Sequence, residues 1–142
     1  MINKYSYINI YENKKKNSKL SSQILYGEKF TILKKYKDWY RIKTSYDKYE
    51  GYIKKKKFEE FNFKPTHKVS SLKANIFLKP DRKSQIKMKL SFSSLLHVKS
   101  SKKGFLNFDN YWIQKSDVVP LNYREKIFKR ISIFRNVKYK GG

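Results

Sequence analysis

The sequence predicts an all-β chain, two small barrels in tandem followed by a short helix. Three observations predict it. Short alternating apolar runs are punctuated by turn residues every 8–12 positions or so, the pattern of a sandwich or small barrel. The pattern of the first run of strands returns 66 residues later. Helical spacing of apolar residues occurs only after Pro120, at Ile127, Phe128, Ile131 and Phe134.

In the first copy, Asn9-Ile10-Tyr11 is a β-prone piece followed by a polar, basic loop from Asn13 to Lys19. Leu20 to Leu25 leads into Tyr26-Gly27-Glu28, where Gly27 supplies a turn with positive φ. Phe30-Thr31-Ile32 alternates as a strand with Phe30 and Ile32 on one face. Lys37-Asp38 is a turn, and Trp39 to Lys43 a second strand. Tyr40 and Ile42 point one way, Trp39, Arg41 and Lys43 the other. The polar loop Thr44 to Glu50 ends at Gly51, and Tyr52-Ile53 begins the closing strand.

The second copy follows at a fixed offset. Asn75-Ile76-Phe77 matches Asn9-Ile10-Tyr11, and Phe92, Leu96 and Val98 match Tyr26, Phe30 and Ile32. Phe105, Leu106 and Phe108 match Trp39, Tyr40 and Ile42. Trp112-Ile113 matches Tyr52-Ile53 at an offset of 60, so the second copy lacks six residues in the loop that reads TSYDKYE in the first. Copies that share a core and differ in a loop direct attention to the loop. Phe58 to Ala74, with Pro65, connects the two. The segment from Arg124 to Phe134 is an amphipathic helix too short to be stable without something to pack on.

Composition bounds the function. Hydrophobic residues make up 39% and aromatics 17% of the 142 residues, enough to bury cores despite 32% charge. Units of this size bury little surface, so the 12 Tyr, 10 Phe and 2 Trp must supply much of the burial. The chain has no cysteine, which removes disulfides, thiolate metal sites and a cysteine nucleophile together. That absence, with no apolar run long enough for a signal-peptide core or a membrane span, sets a cytoplasmic expectation. The net charge of +24 admits two readings. One is a surface for nucleic acid or another polyanion. The other is codon bias from an AT-rich genome, since 30 of the 35 basic residues are Lys and the base-reading Arg fork is scarce.

Most chemistry-bearing patterns are missing. His67 and His97 have no carboxylate cluster beside them, so no metal site is expected. There is no G-x-S-x-G turn, no Ser–His–acid set, and no glycine-rich phosphate loop; no cofactor is expected. The runs Lys14–Lys16 and Lys54–Lys57 read as solvated loops or strand ends. Glu28, Asp47 and Tyr49 stand out at turns of the first copy among basic residues. An acidic group there anchors a ligand's ammonium, and a tyrosine adds a flat face and a hydroxyl. The same acids also serve as turn formers bonding to local backbone, and sequence alone leaves both roles open.

The string ILYGEKFTILKKYKDWYRIKTSYDKYEGYIKKKKF resembles the bacterial SH3-like (SH3b) domain. Its Leu-x-x-Gly-Glu turn, Asp-Trp-x-x-Ile strand and closing Gly-Tyr-Ile map to Leu25, Gly27, Glu28, Asp38, Trp39, Ile42, Gly51, Tyr52 and Ile53. Pro65-Thr66-His67-Lys68-Val69 resembles the junction between tandem SH3-like domains in a group of NlpC-type cysteine peptidases. The resemblance implies a first SH3-like domain over 1–58, a linker over 59–73 and a divergent second domain over 74–121. Residues 122–142 would be the helix and opening of a truncated NlpC-type catalytic domain, with Lys140 where that opening carries Trp.

Such enzymes cleave γ-D-glutamyl–diamino-acid bonds of cell-wall peptides with an activated thiolate. Lacking any thiol, this chain is expected to be inactive alone, a recognition module whose partners are murein peptides with a free N-terminus and the missing catalytic domain. The alternative is a basic SH3-like barrel that binds nucleic acid or another polyanion. The resemblance casts Glu28 as partner of the peptide ammonium and Tyr49 as a pocket wall. It leaves the second copy, with Ser94 in Glu28's place, structural.

Overall fold

A computed structural model describes residues 1–15, 17–60 and 64–121. The expected C-terminal helix and catalytic opening at 122–142 lie outside the described residues. In the first half, β1 (Tyr7–Tyr11), β2 (Leu20–Leu25), β3 (Phe30–Lys35), β4 (Trp39–Thr44) and β5 (Glu50–Lys54) form one antiparallel sheet in the order β2-β1-β5-β4-β3. After β6 (His67–Val69), the strands β7 (Lys73–Phe77), β8 (Ile86–Ser91), β9 (Leu95–Leu96), β10 (Ser100–Lys102), β11 (Phe105–Phe108), β12 (Tyr111–Gln114) and β13 (Val118–Pro120) complete the second. Its main sheet runs β10-β11-β12-β7-β8, the same order as the first, and β13-β6-β9 forms a third small sheet.

The repeat read from sequence holds at the level of register. Ile8 pairs with Ile24 as Ala74 pairs with Leu90, and both hairpins carry an irregularity at the next matched step, Ile10/Tyr11 and Ile76/Phe77. Tyr11 lies opposite Tyr52 as Phe77 lies opposite Trp112. Even the loops agree: Ser18 Oγ donates to the Asn13 carbonyl as Ser84 Oγ donates to that of Lys79. The first core comprises Ile8, Ile10, Ile24, Phe30, Tyr40, Ile42 and Ile53. Ala74, Ile76, Leu90, Leu96, Leu106, Phe108 and Ile113 stand at the matching positions of the second. Ala74 for Ile8, Leu96 for Phe30 and Leu106 for Tyr40 remove more volume than Phe108 for Ile42 adds, and the second core also takes in Tyr26, Val69 and Val118.

Two departures from the sequence reading matter. The stretch expected as a linker contains β6, which pairs with β9 and β13. A three-residue strand is too short for period-two alternation to mark it. The first half fills the same place with its own N-terminus: Ile2 bridges Lys29 and Glu59, as Lys68 pairs with Leu95 and Val119. Second, the strand matching β3 is broken into β9 and β10, at the place where β3 itself has a bulge between Ile32 and Lys34. His97 therefore sits just past a strand end, exposed, with Nδ1 2.8 Å from the Lys64 carbonyl.

The halves meet at the Tyr26-Gly27 turn. Tyr26, in the first half by sequence, is buried in the second core and packs edge-on against Phe108 at 5.7 Å. Its carbonyl accepts the Leu95 N–H at 2.8 Å. Gly27, at φ +82°, lies so close that a Cβ there would stand 2.1 Å from the Leu95 carbonyl oxygen. The matched turn of the second half has the same backbone, with Ser93 at φ 82°, yet its Phe92 is 45% exposed. Among the described residues, no helix is long and apolar enough to cross a membrane.

Candidate functional site

The Tyr26-Gly27-Glu28 turn and the β4–β5 loop come together beside the joint. Glu28 N–H bonds to the Leu25 carbonyl at 3.1 Å, closing a turn whose third residue needs positive φ, the role Gly27 fills. Ser45 N–H then donates to the Lys29 carbonyl at 3.0 Å, which brings the base of the long loop against the turn. In the second half the corresponding β11–β12 connection is the tight pair Asp109-Asn110, both at positive φ, as a two-residue hairpin requires. The six additional residues of the first copy therefore build a wall that the second copy lacks.

That wall encloses a cleft of about 330 Å³, lined from the first half by Ser22, Gln23, Gly27, Glu28, Lys29 and Thr44 to Asp47. Pro65 and Leu95 close it from the other side of the joint. Of the three residues singled out in the sequence, Glu28 and Asp47 both line the cleft. Tyr49 does not; it is half-buried and packs on the first core, beside Gly51. The tyrosine at the cleft is Tyr46, 92% exposed at the loop tip. Tyr46 belongs to the same inserted loop, so subtracting the second copy from the first would have flagged it. Pro65 and Leu95 carried no such signal, because they enter only through the packing of one half on the other.

Both acids combine a local role with exposure to the cleft. Glu28 Oε1 accepts the Leu25 N–H at 2.7 Å, the turn-forming role. Asp47 accepts from the Thr44 hydroxyl, and that hydroxyl also accepts the Tyr49 N–H at 2.9 Å, which fixes the loop. Partial burial pushes the Glu28 carboxyl above its ordinary value against the Leu25 hydrogen bond; the Asp47 charge pushes the same way and Lys68 opposes it. A cation held beside Glu28 and Asp47 would favour the charged form of both. At the matching position of the second half Ser94 is fully buried, and its hydroxyl finds no hydrogen-bond partner among the described residues. Among the described residues no group of three His, Cys, Asp or Glu side chains could hold a metal ion.

Comparison with known proteins bears on the fold. Residues 10–58 match the family model described as the bacterial dipeptidyl-peptidase Sh3 domain. The crystal structure of an NlpC/P60 family protein from Bacillus cereus superposes with a TM-score of 0.67 at 15% identity, covering 83% of this chain and 55% of that one. The chain thus spans about half the length of that protein, and the likeness establishes the shared fold. NlpC2 from Trichomonas vaginalis, at 17% identity and a TM-score of 0.33 over 83% of this chain and 46% of that one, adds nothing to the assignment. No curated protein sequence matches the chain significantly.

Proposed function

With residues 10–58 matched to a bacterial dipeptidyl-peptidase Sh3 domain, we propose that the chain is the substrate-recognition part of an NlpC-type cell-wall peptidase. Its cleft receives the free N-terminus of a murein peptide. Glu28, with Asp47 beside it, pairs with the peptide's ammonium, Tyr46 covers the entering residue, and Tyr49 holds the loop from behind. The chain has no thiol, so bond cleavage belongs to a separate catalytic domain that would act on the peptide so presented.

One observation carries the reading. In a chain of net charge +24, two carboxylates line the same half-enclosed cleft, one of them with its pKa raised by partial burial and by the charge of the other. Calorimetric titration with L-Ala-γ-D-Glu-diamino-acid peptide tests it. Binding should be lost on N-acetylation of the peptide and in Glu28→Gln, which keeps the turn but removes the charge. Equal binding of the acetylated peptide would refute the proposal.

A further inference from the structure

A second surface lies on the outward face of the first sheet and shares no residue with the cleft. Because side chains alternate along strands, Ile8, Ile10, Tyr40, Ile42 and Ile53 face the core. Tyr7 and Tyr11 of β1, Trp39 and Arg41 of β4, and Tyr52 and Lys54 of β5 then face out. A sheet face turned to water is ordinarily polar, and this one carries four aromatic rings, Tyr7 exposed, Tyr11 and Tyr52 half-buried, and Trp39 buried beneath its neighbours. Two hollows adjoin there. One, of about 390 Å³, is lined by residues that include Tyr5, Tyr7, Tyr11 and Lys56. The other, of about 380 Å³, is lined by Lys14, Lys15, Lys55 and Trp39, with Asp38 the single acid among the described residues lining the pair. Lys54 lines both, and Tyr11 packs edge-on against Trp39 at 5.7 Å between them.

The second copy separates scaffold from binding surface. Phe77 and Phe105 reproduce the Tyr11–Trp39 pair at 5.6 Å, so that contact belongs to the architecture. Of the lining cations only Lys55 recurs, as Lys115. Lys14, Lys15, Lys54 and Lys56 stand where the second copy has Pro80, Asp81, Gln114 and Ser116, and exposed Tyr7 where it has Lys73. A codon bias acts on both copies alike and does not account for this difference.

We propose that this face of the first barrel binds single-stranded nucleic acid without sequence preference. Lysines at the rim follow the phosphates, and the exposed ring of Tyr7 offers a platform on which a base stacks. Lysine in place of arginine suits backbone neutralisation rather than base reading. A duplex presents no free base faces, and inorganic polyphosphate has none, so neither satisfies the aromatic half of the site.

Fluorescence anisotropy of the full chain with a labelled oligouridylate, titrated over a range of salt concentrations, tests this. The wild-type chain is expected to show a linear fall of log affinity with log salt. Replacing Lys15, Lys54 and Lys56 by the second copy's residues (Lys15→Asp, Lys54→Gln, Lys56→Ser) should lower the slope by about 2, roughly 0.7 for each phosphate no longer neutralised. Tyr7→Ser, on an exposed position, should weaken binding about tenfold with the slope unchanged. Unaltered affinity in Tyr7→Ser, or a duplex or polyphosphate bound as tightly as the single strand, would overturn the proposal. Circular dichroism of each variant confirms that the barrels are intact before it is titrated.

Discussion

Lys4 Nζ lies 2.8 Å from Asp109 Oδ2 and 3.0 Å from Oδ1, across 105 residues of sequence. The pair ties the start of the first half to the hairpin tip of the second, with side chains 22% and 35% exposed. A double-mutant cycle with Lys4→Met and Asp109→Asn, which keeps a residue tolerant of positive φ at the turn, should give a coupling of about 0.5–1 kcal/mol. Denaturant unfolding at low and high salt checks it: the coupling should shrink as salt rises.

Gly27 and Gly104 share nearly the same backbone, φ +82° and +81°, but differ in surroundings: nothing lies within 4 Å of a Cβ at Gly104. Gly104→Ala should therefore cost about 1 kcal/mol, the left-handed penalty alone. Gly27→Ala adds a clash with the Leu95 backbone and should cost about 3 kcal/mol or more. Equal losses in urea unfolding would contradict the described joint.

Tyr26 and Phe92 occupy matched turns with opposite burial, 1% and 45% exposed. Tyr26→Ala should destabilise the chain by about 4 kcal/mol and separate the unfolding of the two cores. Phe92→Ser should change stability by no more than about 0.5 kcal/mol. Calorimetric scans of both variants read the magnitude and the splitting together.

Glu28 and His67 titrate with opposite consequences. The Glu28 pKa is raised above 4.5 in the folded chain, so in the window above 4.5 the folded state binds more protons than the unfolded. Stability thus falls as pH rises through that window. Glu28→Gln should match or exceed wild-type stability at neutral pH and lose the advantage below 4.5, while peptide binding disappears. His67 has its pKa lowered from 6.5 by burial, so stability falls as pH drops below 6.5 towards the lowered value. His67→Gln should flatten that limb of the stability profile.

The repeat was legible because apolar spacing survives substitution: seven core positions match in pairs although only Ile10/Ile76 and Ile53/Ile113 keep the same residue. Glu28 and Asp47 were legible as acids at turns in a basic chain. Tyr26 was not, because nothing in a one-dimensional pattern says that a turn residue of one barrel fills the core of the next. The same reason hid Leu95 and Pro65. Tyr49 was misplaced from the cleft because two tyrosines share one loop, and only the backbone of that loop decides which ring turns inward.

The joint has a consequence for assembly. Tyr26 is given by one copy and received by a different surface of the other, a head-to-tail contact that does not close on itself. Repeating that step once more would bring a further unit onto Phe92, which is 45% exposed among the described residues. Lys68, whose ammonium lies 5.6 Å from the Phe92 ring, occupies the position held in the first copy by buried Ile2. The ring that would take the next step of the repeat thus carries a charge where the first copy has an apolar side chain.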